Sequence, residues 1–156
     1  MTTTTHQQQT DESIDILVVE DNPGDVRLIR EAFEMAETNN ETELYVANTG
    51  KDAIAFLTQS DEFAAVPPPD LVLLDLNLPG RDGCEVLGTI RTDLQLRRLP
   101  VLMLTSSEST EDIERCYNAR ANAYLMKPTD PEEFISTAEA VERFWLEQAQ
   151  LPPNAR

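Results

Sequence analysis

LVLLDLNLPGRDGCE, residues 71–85, is an apolar run that stops on a carboxylate and then breaks. Leu71, Val72, Leu73 and Leu74 carry no polar side chain; Asp75 follows, then Asn77, then turn formers at Pro79, Gly80 and Gly83. Three prolines, 67–69, close the run on its other side. A short apolar run between such breaks reads as a buried strand. Strands buried on both faces belong mainly to parallel sheets covered by helices. In those sheets the carboxyl ends of the strands open on the binding crevice. Asp75 stands at such an end.

The same signature recurs outward in both directions. Residues 14–19 (IDILVV) are strand-like and are followed at once by Glu20 and Asp21. Residues 43–47 (ELYVA), 101–104 (VLML) and 123–126 (AYLM) give three more short strands. Thr105 follows one of them and Lys127-Pro128 another. Helical spacing fills the gaps. Asp25 is the expected N-cap for a helix through Val26, Ile29, Phe33 and Ala36. A second helix starts near Asn48-Thr49-Gly50, and a third covers about 84–94. Ser109 and Asp112 open a fourth. Asp130, with Pro131 at the first turn, opens a fifth carrying Phe134, Ala138, Val141 and Trp145 on one face. Alternating strand and helix predicts an α/β domain with a parallel sheet and right-handed crossovers. The expected organisation is a disordered arm over 1–13, one domain over 14–149 and a polar tail over 150–156.

Composition narrows the function. The chain has 156 residues, 12 Lys and Arg against 29 Asp and Glu, and a net charge of −17. That excess of acid argues against nucleic acid and against anionic membrane surfaces. Lys51 and Lys127 are the only lysines. An acidic, lysine-poor surface suggests a halophilic protein that stays soluble in concentrated salt. Two cysteines, Cys84 and Cys116, in a domain this rich in apolar sequence are expected to be reduced thiols in a cytoplasmic protein. No signal peptide or membrane-spanning run is present. His6 is the single histidine and falls in the arm, so the folded part holds no histidine base, ligand or phosphohistidine.

A doubly wound sheet brings the residues after its strands to one edge. Glu20, Asp21 and Asp75 would crowd there and raise one another's pKa. A divalent cation relieves that crowding, and an all-oxygen donor set selects a hard ion such as Mg²⁺. A backbone carbonyl near Asn77 completes such a site. Lys127 adds a positive charge and Thr105 a hydroxyl. Together these groups suit phosphoryl transfer, which rests on positioning and charge neutralisation. Asp75 is the candidate nucleophile, because carboxylates form acyl phosphates. No P-loop or kinase glycine loop is present, which argues against ATP as direct donor. Each residue alone has a plainer reading: acidic turn, turn cap, helix-start hydroxyl, solvated lysine. Their shared position at strand ends is what favours a site.

These segments, VVEDNPGD (18–25), LVLLDLNLPGRDG (71–83), VLMLTSS (101–107) and AYLMKP (123–128), resemble the receiver domain of two-component response regulators. With NPGDVRLIREAF and the terminal ERFWL, the chain looks similar to the small stand-alone receivers paired with bacterial phytochromes. The resemblance implies a flavodoxin-like five-stranded sheet of order 2-1-3-4-5 with helices on both faces. It implies that Asp75 accepts a phosphoryl group from a partner histidine kinase. Glu20 and Asp21 would match the acidic pair at the metal, and the Asn77 backbone carbonyl a further Mg²⁺ ligand. Thr105 would be the switch hydroxyl that moves to the phosphoryl group, Lys127 the lysine that pairs with that group and Tyr124 the aromatic that turns inward when the threonine moves. Asn77 and Ser107 would tune loss of the phosphoryl group. A cis Lys127-Pro128 peptide is expected on the same ground. Glu20 departs from the family's more usual aspartate.

With no output domain in the chain, the signal is expected to leave through protein contacts. The expected face is the fourth helix, fifth strand and fifth helix. Phe144 and Trp145 are adjacent and cannot both face one core, so one is free for a partner or a second copy in a homodimer. The downstream partner is not readable from sequence. A phosphorelay intermediate or phosphate sink would use the same chemistry. A Mg²⁺-dependent phosphatase of the haloacid dehalogenase type wants D-x-D-x-T, and here Asn77 holds the second acid position. A phosphorylation-independent interaction module would not need the acid, threonine and lysine set. The expectation is thus a signalling protein rather than an enzyme with its own substrate.

Overall fold

The structure, a computed structural model, describes residues 13–37, 41–148 and 150–152. The expected disordered arm, with His6, and the last residues of the tail lie outside the described residues.

Five parallel strands form one sheet in the order β2-β1-β3-β4-β5. They are β1 (Ile14–Val19), β2 (Thr42–Ala47), β3 (Leu71–Leu74), β4 (Val101–Thr105) and β5 (Ala123–Met126). Four α-helices connect them, α1 (Pro23–Met35), α2 (Gly50–Leu57), α3 (Gly83–Thr92) and α4 (Thr110–Asn118), and a fifth, α5 (Pro131–Val141), follows β5. The sheet is sided by the alternation of its strands. Leu17, Val19, Val72, Leu74, Val101 and Met103 pack on one face, with Phe56 of α2, Leu87 and Ile90 of α3 and Cys116 of α4. Ile16, Val18, Leu71, Leu73, Leu102 and Leu104 pack on the other, with Ile29 and Phe33 of α1 and Phe134, Ala138 and Val141 of α5. The three central strands are apolar on both faces because both faces are covered.

The register sets the site. Val19 pairs with Leu74, Leu74 with Met103, and Thr105 with Met126. The residues that follow therefore leave the sheet side by side.

Local chemistry differs from expectation at three places. Asn22, not Asp25, caps α1: its side chain accepts from Asp25 N, with Pro23 at the first turn. Asp25 is thereby free for other work. Helix α3 begins at Gly83, where Asp82 and Glu85 form a reciprocal capping box, and ends at Thr92. The fifth helix does not run on as one α-helix. From Glu142 to Gln148 it widens into π winding. Trp145 packs against the second face, while Phe144 is 53% exposed and meets it edge-on at 5.2 Å.

Cys84 of α3 and Cys116 of α4 are buried, free thiols that face each other. Burial pushes the Cys116 thiol up to about 12, which keeps it protonated.

Candidate phosphoryl and metal site

Asp75 is fixed by backbone before its side chain does anything. Its N–H donates to the Val19 carbonyl (3.0 Å), which ties the end of β3 to the end of β1. The Asn77 N–H returns to Asp75 Oδ1 at 3.3 Å. Gly83 N donates to the Leu76 carbonyl (2.7 Å), so the start of α3 lies directly against this loop. A Cβ at Gly83 would stand 2.2 Å from the Asp75 carbonyl oxygen. Only glycine admits that approach.

Glu20 is pinned in the same way. Its N–H reaches the Ala47 carbonyl, and its own carbonyl accepts from Asn48 Nδ2. Its Oε2 accepts from Asn22 N at 3.1 Å, which aims the carboxylate inward. Glu20 is 2% exposed and Asp75 6%, whereas Asp21 is solvent-facing. One carboxylate oxygen from each of Glu20, Asp21 and Asp75 lies within 4.8 Å of the other two.

Lys127 closes the site. Its N–H donates to the Thr105 carbonyl at 2.8 Å, fixing the end of β5 to that of β4. Its Nζ donates to Glu20 Oε1 (2.8 Å), Asp25 Oδ2 (3.0 Å) and Asp75 Oδ2 (3.1 Å). Burial works against that charge, but the bonds to Glu20 and Asp25 and the charge of Asp75 hold the ammonium above the ordinary lysine range. Burial also pushes Glu20 up to about 6, against the bonds from Lys127 and Asn22 and with a further push from Asp75. One ammonium thus faces several carboxylates and leaves negative charge uncompensated. That surplus, in oxygen ligands alone, fits a hard divalent cation.

The remaining expected residues divide. Thr105 is fully buried, and its Oγ1 accepts from Ser107 N rather than bonding Asp75 or Lys127. Ser107 Oγ donates to Asp112 Oδ2 at 2.6 Å and helps start α4. Tyr124 is half-buried, and its hydroxyl donates to the Ser107 carbonyl at 2.8 Å, which ties β5 to the loop after Thr105. Phe144 and Trp145 lie beyond α5 on a separate surface. The expected cis Lys127-Pro128 bond is not found; the peptide is trans, the form most X-Pro bonds favour. Asp25 is the site residue that sequence reasoning missed. In sequence it reads as the N-cap of α1, and its reach to Lys127 is set by the folded path of the chain.

The family model for the response regulator receiver domain matches residues 16–139. Response regulator Rcp1 of Synechocystis sp. is 39% identical over 137 residues, covering 88% of this chain and 92% of that protein. The crystal structure of the phosphorylated cyanobacterial phytochrome response regulator RcpA superposes with a TM-score of 0.84 at 39% identity, over 91% of this chain and all of that one. The Mn²⁺-bound form of Rcp1 gives 0.81 at 38% identity, over 90% and 99%.

Proposed function

Because the chain belongs to the response regulator receiver domain family, we propose that it is a single-domain signalling switch phosphorylated on Asp75 by a histidine kinase. The observation that carries this reading is the three-way bond of Lys127 to Glu20, Asp25 and Asp75 beside the carboxylate cluster. Such a site holds one buried nucleophilic carboxylate next to a cation and a metal-ready acid group.

In the proposed reaction an Asp75 carboxylate oxygen attacks phosphorus. The P–N bond of a partner's phosphohistidine breaks, its electron pair returns to the imidazole, and an acyl phosphate forms. Mg²⁺ would be held by Glu20, Asp21, Asp75 and the Asn77 carbonyl, and would supply charge neutralisation on the phosphoryl oxygens. Lys127 balances the charge that arrives on Asp75. Thr105 serves as the hydroxyl that moves to the phosphoryl group, with Tyr124 following, and Asn77 and Ser107 tune hydrolysis. The likeness to Rcp1 and RcpA supports a phytochrome-like kinase as donor. No helix among the described residues is long and apolar enough to cross a membrane.

Incubation with acetyl phosphate and Mg²⁺ tests the chemistry. A hydroxylamine-labile label is expected, lost in Asp75→Asn; label that survives this substitution refutes the assignment. The output face in this reading is α4-β5-α5. Leu125, Met126, Val141, Phe144 and Trp145 line a depression of about 310 Å³ there, suited to a homodimer or a downstream protein. Size-exclusion chromatography with and without beryllofluoride checks the dimer, which a monomer in both states would exclude. High-salt adaptation predicts a melting temperature that rises with KCl; full stability at low salt counts against it.

A further inference from the structure

The net charge of −17 makes one concentration of positive charge conspicuous. Arg91, Arg97, Arg98 and Arg120, four of the twelve cations, line a single depression of about 530 Å³ with Asn122 and Pro152. It lies at the start of β4 and β5, where Asn122 Oδ1 accepts from Val101 N (2.8 Å). This is the edge of the sheet opposite Asp75.

The depression has a rigid frame. Arg91 is buried, and its guanidinium donates to the carbonyls of Arg120 (2.9 Å), Arg97 (3.1 Å) and Leu99 (2.7 Å) and to Asn122 Oδ1 (2.8 Å). Every acceptor is neutral, so these bonds order two loops without cancelling the charge. They hold Arg120 in its left-handed conformation (φ 71°) and fix the backbone at Arg97. The side chains of Arg97, Arg98 and Arg120 are solvent-facing, and no carboxylate of the described residues lies within 4.0 Å of their nitrogens. Arg120 is close enough for its charge to disfavour ionisation of Arg91 in addition to burial, and no carboxylate offsets it. With Asn122 Oδ1 engaged, the side-chain groups left facing the depression are all donors.

We propose that this depression is a binding site for a multivalent oxyanion, the phosphate group of a small molecule. A cluster of guanidinium forks without carboxylates matches tetrahedral oxyanions through paired charge-assisted hydrogen bonds. The local acid deficit in so acidic a chain is what selects an anion, and the preformed loops reduce the ordering that binding requires.

The test is calorimetric titration of the full chain with pyrophosphate in chelator, at ionic strength held constant with KCl. One saturable site is expected. Its affinity falls by about tenfold or more in R97Q/R98Q/R120Q, the size of losing a charge-assisted hydrogen bond. It is unchanged in Arg27→Gln, which removes an exposed cation outside the depression. Single Arg98→Gln and Arg120→Gln variants each show partial loss and keep the result readable should the triple variant not fold. Binding that survives the triple substitution, or that falls equally in Arg27→Gln, overturns the proposal. So does an effect that chloride reproduces, or the absence of pyrophosphate binding where a poly-glutamate peptide binds.

Discussion

Replacing Gly83 with alanine sets two effects of opposite sign against each other. Alanine favours a helix over glycine by about 1 kcal/mol in a helix interior, and less at a first position such as this. Against that, the new Cβ would lie 2.2 Å from the Asp75 carbonyl oxygen, 2.9 Å from Leu76 Cα and 3.0 Å from the Asp75 carbonyl carbon. Ordinary contacts between such atoms begin near ~3.5 Å, so the 75–76 peptide must retreat by about 1 Å. The obstacle is backbone, and Gly83 N is itself bonded to the Leu76 carbonyl, so no side chain can swing away. Overpacking of this kind costs about 1–3 kcal/mol, and sterics win. The displaced peptide belongs to Asp75, and a 1 Å misplacement of a reacting group lowers rates by about a hundredfold. Urea unfolding and the rate of labelling by acetyl phosphate read the two consequences. Gly88→Ala is the internal control: a Cβ there meets nothing within 4 Å, so this substitution inside α3 should stabilise by about 0.5–1 kcal/mol. A Gly83→Ala protein with wild-type midpoint and wild-type labelling rate would refute the reasoning.

In chelator, Glu20 carries a pKa of about 6 against an ordinary 4.5, so between these values the folded chain binds more protons than the unfolded one. Its contribution to stability therefore falls as pH rises through that window, by about 2 kcal/mol, and the deficit is complete above it. Unfolding curves of wild type and Glu20→Gln should diverge with that slope between pH 4.5 and 6, and a constant difference contradicts it. Lys127→Met leaves Glu20, Asp25 and Asp75 without their shared cation and should cost about 3 kcal/mol or more at neutral pH, partly restored by Mg²⁺. A loss below about 1 kcal/mol in urea denaturation would show the cluster to be well solvated. Arg91→Leu strands the carbonyls of Arg97, Leu99 and Arg120, leaves Asn122 Oδ1 with Val101 N as its donor, and should destabilise by about 2–3 kcal/mol by the same measurement.

The strand ends were legible in sequence because the last residues of β1, β3 and β5 form an apolar run that stops at a charged residue. Val19 to Glu20, Leu74 to Asp75 and Met126 to Lys127 mark the sheet edge without knowledge of contacts. Parallel pairing then requires them to converge, and they do. Features set by distance rather than pattern were not legible. Asn22 and Asp25 are both good caps, and only the path of the chain decides which one caps and which reaches Lys127. The close approach at Gly83 depends on a contact seven residues back around a turn. The π winding after Val141, which carries Phe144 edge-on to Trp145, is likewise not encoded in helical spacing. The arginines at 91, 97, 98 and 120 share no periodicity; the sheet alone gathers them.

An ammonium group has three N–H bonds, and Lys127 has committed all of them. A phosphoryl oxygen that approaches Lys127 therefore meets a full set of acceptors and must displace one. Asp25 is the most solvated of the three, its side chain 26% exposed against 3% and 6% for Glu20 and Asp75, and so gives way most easily. Since Asp25 sits in the first turn of α1, its release would uncouple that helix start from β5. ¹⁵N-lysine spectra of the beryllofluoride adduct of Asp25→Asn, set against wild type, would register which carboxylate departs. On this geometry, modification of Asp75 is an exchange of ligands around a saturated cation, and α1 is the element that feels what was given up.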